Sequence, residues 1–421
     1  MNTAFISLVE RFISYTKINT TTNREKGAAG IMPSSDGQMV LAKKVAEELI
    51  ALGLSDVNVS ERAIVTATLP ANTDAAVPTV AFFGHLDTSA EHTTDTHAQI
   101  LPYHGEDLCL NKEKNIFLRK SEFPELANYL GDDIIVTDGT SLLGADDKAA
   151  IASVVNAVQF LIQHPEIKHG PVKVGFVPDE EQGLRGAKVF DVDAFGADFA
   201  YTLDCCGIGE LVYENWNAGD AEIVFNGQSA HPMSAKGKLK NSLLMAHKFI
   251  AMLPGGEAPE YTDGREGYYW VKQLQGNSAK TVLKMDVRDF TEEGYQQRMA
   301  FLGQLAKSCE ALWGEKSVQC LLADRYANVF NSLQGDNRYP IDIAIQAYEN
   351  CNIEARPIPM RGGYDGAALS QNGLPCPNLF TGAHNFHSIY EYLPVKSLEA
   401  ASNVVIEVIK LTHDRFTNGA K

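Results

Sequence analysis

A pair of adjacent carboxylates, Asp146 and Asp147, lies between a glycine-containing turn and an apolar helical pattern that begins near Lys148. Acidic side chains at the start of a helix are stabilised by the unpaired backbone N–H groups and the helix dipole, which is the structural interpretation of the pair. A second interpretation is metal binding, because the two oxygens of one carboxylate can contact two cations. Four other positions with acids or histidines favour the second interpretation, and we predict that Asp146 bridges two metal ions.

His85 and Asp87 follow the short apolar run Thr79–Phe83, which is consistent with a buried strand. Since they are two residues apart, an extended backbone directs both side chains to one face. A histidine that ligates a metal needs its other ring nitrogen held, often by a carboxylate. The pair could therefore supply a metal ligand and its supporting acid, or it could be a satisfied polar pair at a strand end.

Two adjacent glutamates, Glu180 and Glu181, come shortly after the apolar run Val172–Val177. One glutamate can ligate a metal while the other moves a proton, and we predict Glu181 as the ligand and Glu180 as the general base. The alternative is an acidic helix start, which explains the carboxylates but not the buried strand before them. Asp204 follows a further apolar run, Phe199–Leu203, and is another candidate ligand.

The elements that position these acids alternate between strands and helices, which is typical of an α/β sheet covered by helices. Asp87, Asp146, Glu180 and Asp204 each follow a predicted strand. Because ligands bind beyond the carboxyl ends of the strands in such sheets, we expect these four carboxylates to meet. The segment 91–130 is polar and weakly periodic, so we interpret it as a long irregular loop with solvated histidines.

From about Asn215 the order changes to strand, helix, two strands, helix and strand. This order is the split βαβ arrangement and predicts an inserted α+β, ferredoxin-like domain. We place this domain at residues 215–326, and the main α/β domain, a mixed sheet sandwiched by helices, at residues 1–214 and 327–421. His231, which precedes a proline in the inserted domain, could be a structural turn residue or could reach a neighbouring domain's site.

Two further motifs follow the inserted domain. Arg361 lies in a glycine-rich turn, and its guanidinium group is suited to bidentate binding of a carboxylate. The turn is not a phosphate loop, since the sequence contains neither of the glycine-rich phosphate-binding motifs. His384 and His387 could both be metal ligands, and their spacing alone does not decide between them.

Composition restricts the function and the location of the protein. The formal net charge of −17 argues against nucleic acid or an anionic membrane surface as the main partner. The start of the sequence does not have the pattern of a signal peptide, and no apolar run approaches the roughly 20 residues that a membrane span needs. The seven cysteines lack a C-x-x-C pattern, so we expect reduced thiols in a cytoplasmic protein, with Cys205 and Cys206 serving packing.

Taken together, the motifs resemble a known family, the dinuclear zinc peptidases and deacylases of the aminoacylase, carboxypeptidase G and succinyl-diaminopimelate desuccinylase type. Within the family, the resemblance is to the bacterial tripeptide aminopeptidases. The motifs span nearly the whole chain in the family's order. They are Gly84–Ser89, Thr137–Gly139, Gly144–Lys148, Pro178–Glu181, Arg361–Gly366 and Pro375–Gly382.

The resemblance implies a set of roles for individual residues. Two zinc ions per subunit are expected, with Asp146 as the shared ligand. One ion would be bound by His85, Asp146 and Asp204, and the other by Asp146, Glu181 and His387. Glu180 matches the general base, and Asp87 matches the carboxylate that supports His85. His231 matches the histidine that polarises the scissile carbonyl. Asn241, Arg288 and Arg361 match groups that bind the substrate.

The activity implied is release of the N-terminal residue from short peptides, above all tripeptides, with the inserted domain as a lid that could also mediate a homodimer. An alternative within the family is an amidase, deacylase or dipeptidase that acts on N-acyl amino acids or dipeptides. Assays of tri-alanine against N-acetyl amino acids separate these activities. A metal-dependent binding protein without activity is a third hypothesis, but it would not need Glu180 beside Glu181.

Overall fold

The computed structural model describes residues 6–92, 95–205 and 207–418, so the predicted packing of Cys206 lies outside the described residues. These residues divide into two units. The larger unit consists of the described residues of Met1–Tyr213, Ser332–Ile358 and Tyr364–Lys421. The smaller unit consists of Glu214–Asn331 and Pro359–Gly363, so Arg361 belongs to it, whereas the predicted boundaries leave Arg361 in the main domain.

Strands and helices alternate through most of the described chain. The strands are β1 (Ser55–Val59), β2 (Val65–Leu69), β3 (Val80–His85), β4 (Gln99–Pro102), β5 (Leu108–Asn111), β6 (Ile116–Leu118), β7 (Asp133–Val136), β8 (Val172–Val177), β9 (Phe199–Cys205), β10 (Glu210–Glu214), β11 (Asn217–Asn226), β12 (Tyr268–Gly276), β13 (Lys280–Asp289), β14 (Val318–Tyr326), β15 (Arg356–Pro359), β16 (Asn378–Phe380) and β17 (Leu393–Pro394). The helices are α1 (Leu8–Thr16), α2 (Arg24–Ala28), α3 (Asp36–Leu52), α4 (Ala145–Gln163), α5 (Arg185–Lys188), α6 (Val192–Phe195), α7 (Ser242–Ala251), α8 (Glu292–Trp313), α9 (Tyr339–Asn350), α10 (Asp365–Gln371) and α11 (Val395–Asn418).

An eight-stranded mixed sheet forms the core of the larger unit, in the order β1-β2-β8-β3-β9-β16-β10-β15. Every residue of the central strand β3 is buried, as expected for an apolar strand with both faces covered. Helix α4 packs against β3 and β9, and α11 packs against α4. The prediction of an α/β sheet covered by helices is confirmed. Because β3 runs parallel to β8 and β9, the carboxyl ends of these three strands lie at one edge of the sheet.

The approach to Asp146 differs from the prediction of four strand ends in this sheet. The strand that precedes Asp146 in the chain is β7, which lies in a separate three-stranded sheet of order β17-β7-β4. Helix α4 begins at Ala145, but Asp146 and Asp147 have non-helical dihedral angles. Gly144 before them has φ of 74°, a conformation that glycine adopts without a steric penalty. Asp146 therefore lies in a turn between strand β7 and the regular part of helix α4 rather than at the end of a central strand.

The interpretation of segment 91–130 as an irregular loop is wrong for four short stretches of its described residues. It contains strands β4, β5 and β6 and the 3₁₀ helix Pro124–Tyr129. The strands are only three or four residues long, which is too short to give a clear alternating pattern in the sequence. Their buried side chains form a hydrophobic cluster with residues from β7 and from the C-terminal segment: Tyr103, Leu108, Leu110, Leu118, Leu126, Ile134, Val136 and Tyr392.

The smaller unit has the order strand, helix, two strands, helix and strand that the sequence predicts. Its four strands form an antiparallel sheet of order β12-β13-β11-β14, as in a ferredoxin-like fold. Helices α7 and α8 pack against this sheet, and the core between them is apolar. In the described part of the chain, no helix is both long and apolar enough to cross a membrane.

Candidate metal centre

Five side chains of the larger unit come together in two groups that share one carboxylate. The first group is His85, Asp146 and Asp204, and the second is Asp146, Glu181 and His387. Within each group, one ligand atom from every residue lies within 4.8 Å of the others. These are the five residues that the sequence analysis named as ligands. The structure thus brings together groups that are up to 302 residues apart in the chain, counting from His85 to His387 (387 − 85).

Asp146 directs one oxygen towards each group. Its Oδ1 lies 2.8 Å from Nε2 of His85, and its Oδ2 lies 3.1 Å from Nε2 of His387. Nε2 of His387 also lies 2.8 Å from Oε1 of Glu181. A carboxylate with its two oxygens committed to two different donor groups has the arrangement that a bridging ligand requires.

Asp87 supports the site in two ways. Nδ1 of His85 donates to the backbone carbonyl of Asp87 at 3.0 Å and lies 3.4 Å from its Oδ1, so the ring is held with Nε2 facing Asp146. The carboxylate of Asp87 also accepts hydrogen bonds from the backbone N–H groups of Glu180 and Glu181, at 2.9 and 3.2 Å. The predicted support for His85 therefore also ties the end of β3 to the turn after β8.

Two residues that support the ligands, Glu391 at Asp146 and Asp147 at His85, were missed by sequence reasoning. The carboxylate of Glu391 accepts hydrogen bonds from the backbone N–H groups of Gly144 and Asp146, at 2.8 and 3.1 Å. Oδ2 of Asp147 accepts from the backbone N–H of His85 at 2.9 Å. Asp147 could have been found from its position beside Asp146. Nothing in the local sequence identifies Glu391, because its partners are backbone groups far away in the chain.

The C-terminal segment decides which of the two histidines joins the groups. The backbones of His384 and Tyr392 form a β-bridge, with hydrogen bonds of 2.9 and 3.2 Å, and His387 lies in the loop between them. Nε2 of His384 is 2.5 Å from the hydroxyl of Tyr129, and its ring stacks on Tyr392. Burial lowers the pKa of His384 to about 4. His384 thus anchors the loop, and His387 is the histidine that reaches Asp146.

Three carboxyl groups of the site are hard to ionise in the absence of a cation. Burial, and next the charge of Asp146, raises the pKa of Glu181 to about 7. The same two causes hold the pKa of Asp204 well above its usual range. Burial also raises the pKa of Glu180, with a further contribution from the nearby carboxylate of Asp204. Buried like charges raise each other's pKa, so the site is short of positive charge.

The two histidines of the site contribute positive charge. Burial alone would raise the pKa of Asp146, but hydrogen bonds with His387 and His85 outweigh it and lower that pKa below its usual value. Hydrogen bonds with Asp146 and Glu181 raise the pKa of His387 to about 11. Divalent cations would replace these protons, since metal ligands bind in their deprotonated forms. A cluster of buried carboxylates and imidazoles with too little positive charge therefore fits two divalent ions.

The predicted substrate-contacting residues belong to the smaller unit. His231 is exposed, and its Nδ1 accepts a hydrogen bond from the backbone N–H of Met233 at 3.2 Å. Asn241 caps helix α7, because its Oδ1 accepts from the backbone N–H of Leu243 at 3.0 Å. Asn241 thus has a structural role that accounts for its residue type.

The two arginines are held by contacts within that unit. Arg288 donates to the hydroxyl of Tyr326 at 3.1 Å. The guanidinium group of Arg361 lies 4.9 Å from the ring centre of Trp216 and 5.7 Å from that of Tyr268. Cation–π contacts of this kind hold a guanidinium group in a fixed orientation. A role of either arginine in substrate binding stays a prediction.

Replacing Glu391 with glutamine should weaken metal binding without removing any ligand. The glutamine side chain keeps one acceptor oxygen but turns an amide N–H towards one of the two backbone donors, so the turn that carries Asp146 is held less firmly. We expect about 10- to 100-fold lower affinity for metal, in the range typical for residues that orient ligands. Competition with a chromophoric chelator measures the affinity. Unchanged affinity in the folded variant would show that Glu391 does not position Asp146.

Comparisons with known proteins identify the family. The model of peptidase family M20/M25/M40 matches residues 143–411, which is more than half of the chain. A protein named peptidase T from Geobacillus sp. (strain WCH70) is 46% identical over 406 residues, which cover 96% of this chain and 98% of the relative. Peptidase T from Bacillus licheniformis is 44% identical over 410 residues, with coverages of 97% and 99%.

Solved structures share the fold at lower identity. The crystal structure of aminopeptidase PepT from Bacillus cereus has a TM-score of 0.76 and 21% identity, and the match covers 96% of this chain and 98% of that one. A dinuclear metal-binding peptidase of family M20 from Bacillus subtilis has a TM-score of 0.65 and 16% identity, with coverages of 96% and 97%. With the family model and full-length relatives in agreement, this chain belongs to peptidase family M20/M25/M40.

Proposed function

We propose that this chain is an aminopeptidase that uses two zinc ions to release the N-terminal residue of short peptides, above all tripeptides. The observation that carries the proposal is the position of Asp146, whose two oxygens face two separate groups of ligands. The donors are carboxylate oxygens and imidazole nitrogens, which are common zinc ligands in catalytic sites. The full-length relatives named peptidase T support the choice of substrate.

Glu180 is the residue that we assign as general base, because it is adjacent to Glu181 in the chain and is absent from both groups of candidate ligands. When bound, the two ions supply Lewis-acid polarisation of the peptide carbonyl and a lower pKa for the attacking water. Glu180 takes a proton from the water while the water oxygen forms a bond to the carbonyl carbon of the peptide. Glu180 then gives that proton to the leaving amine nitrogen as the C–N bond breaks.

In this proposal the smaller unit acts as a lid that contributes substrate-binding side chains. Nδ1 of His231 already accepts the backbone N–H of Met233, so its Nε2 is the ring nitrogen that would donate to the substrate carbonyl. Asn241, Arg288 and Arg361 would bind polar ends of the peptide. We also predict that the protein forms a homodimer through the smaller unit and that it is located in the cytoplasm.

A comparison of substrates on the purified protein tests the function. We expect hydrolysis of tri-alanine to release alanine from the N-terminus, with slower cleavage of di-alanine and tetra-alanine, and loss of activity after dialysis against a chelator. N-acetyl-alanine is the matched control, because it has no free amino terminus. Cleavage of N-acetyl-alanine but not tri-alanine would favour the amidase alternative. A protein that binds two metal ions and cleaves none of these compounds would be a binding protein.

A further inference from the structure

The turn after β8 places the two glutamates of the site and begins in an unusual backbone conformation. Asp179 has φ of 57°, in the left-handed region, directly before the 3₁₀ helix Glu180–Gln182. Such a conformation persists when the surrounding contacts determine it. The side chain of Asp179 makes no capping hydrogen bond to its own 3₁₀ helix. It is therefore free to bind another part of the chain.

Asp179 is fully buried, at 0% exposure, and its carboxylate is surrounded by donors. It accepts hydrogen bonds from the backbone N–H of Ser34 at 3.0 Å, from the hydroxyl of Ser34 at 2.6 Å, and from Nε2 of Gln38 at 2.8 Å. Nη1 of Arg185 donates to its Oδ2 at 2.7 Å. The backbone N–H of Asp179 donates in turn to Oε1 of Gln38 at 3.0 Å. These contacts fix both the side chain and the backbone of the residue before Glu180.

The same N-terminal segment also holds the far end of the turn. Nε2 of Gln182 donates to the backbone carbonyl of Asn23 at 3.0 Å and to the hydroxyl of Ser34 at 2.9 Å. Nη2 of Arg185 donates to the backbone carbonyl of Ile31 at 2.8 Å. The segment 23–38 therefore holds the turn by hydrogen bonds on both sides of Glu180 and Glu181. Asp87, which follows β3, accepts hydrogen bonds from the backbone N–H groups of these two glutamates.

We propose that Asp179 is a positioning residue for Glu180, and that its buried contacts with Ser34, Gln38 and Arg185 hold the base where it meets the water. The inference rests on the proposed role of Glu180 as general base. Misplacement of a reacting group by about 1 Å can cost about 100-fold in rate, so a small shift of this turn has a large kinetic effect. Asp179 does not contact the substrate in this account.

Asp179→Asn tests the proposal because it keeps the size of the side chain and removes one acceptor oxygen. We expect kcat on tri-alanine to fall by about 10- to 100-fold, with KM changed less than about twofold and two metal ions still bound by elemental analysis. In a Glu180→Ala background the same substitution should leave the residual kcat unchanged, because the group it positions is absent. This non-additivity separates positioning of the base from general destabilisation.

Asp132→Asn is the matched control. Asp132 is also a buried carboxylate of the larger unit, and it accepts from the backbone N–H groups of Asp133 and Lys396 at 2.9 and 3.3 Å. Its replacement should lower the melting temperature and leave kcat unchanged. If Asp179→Asn does not fold, Ser34→Ala takes its place with the same criteria and a smaller expected loss; it removes the 2.6 Å hydroxyl contact with Asp179 together with the contacts of that hydroxyl with Thr22, Asn23 and Gln182.

An unchanged kcat in the folded variant, or an equal loss in the Glu180→Ala background, would overturn the positioning role and leave Asp179 as a purely structural residue. Failure of the proposed function would give a different result, since the unaltered protein would then not cleave tri-alanine at all.

Discussion

Replacing Glu180 with alanine is expected to lower kcat by about 1,000-fold, in the middle of the range for removal of a general acid–base group. The variant should still bind two metal ions, because Glu180 is absent from both groups of candidate ligands. KM should change little, since in the proposed role Glu180 exchanges a proton with the water and the leaving amine and does not bind the peptide. Initial rates on tri-alanine and elemental analysis of the same preparation provide both measurements.

Glu180→Gln is the control for shape in this experiment. Glutamine has the size of glutamate but is not basic, so its loss in kcat should match that of alanine. A glutamine variant that retains near-normal turnover with two metal ions would remove Glu180 from the proton transfer.

Replacing Asp146 with alanine is expected to abolish binding of both metal ions together. One oxygen of Asp146 faces His85 and the other faces His387, so the substitution removes a ligand from each group at once. Three-ligand groups reduced to two ligands bind zinc weakly. Activity should fall to background, and elemental analysis of the folded protein should find less than one ion per chain.

Asp204→Ala serves as the matched control, because Asp204 belongs to the first group only. It should weaken binding of one ion and leave the second ion bound, so titration with zinc should show one strong site. Two ions bound normally in the Asp146→Ala variant would contradict the bridging role. Loss of both ions in Asp204→Ala would show that the two groups do not bind independently.

The sequence was most informative where one short segment determines the structure. The apolar runs that form β3, β8 and β9 are continuous and buried, and their ends carry His85, Glu181 and Asp204. In a parallel arrangement these ends must meet, so position in the sequence translates directly into position in the site. The order of elements in the smaller unit was predictable for the same reason, because its strands are nine or ten residues long.

Features that depend on distant partners were beyond sequence reasoning. Glu391 supports Asp146 by accepting hydrogen bonds from backbone N–H groups. All residues except proline have such a group, so the residue types cannot identify the partners. The residues alone left His384 and His387 open, and only the family resemblance favoured His387, because the choice depends on the loop that the bridge between His384 and Tyr392 closes. The strands within segment 91–130 are stabilised by packing against β7 and Tyr392 rather than by their own pattern.

A crystal structure of the protein with zinc, using the anomalous signal of the metal, tests the central claim most directly. The account predicts two anomalous peaks, each about 2.0–2.2 Å from a different oxygen of Asp146. One peak should also contact His85 and Asp204, and the other Glu181 and His387. A single peak, or two peaks of which one does not contact Asp146, would contradict the account.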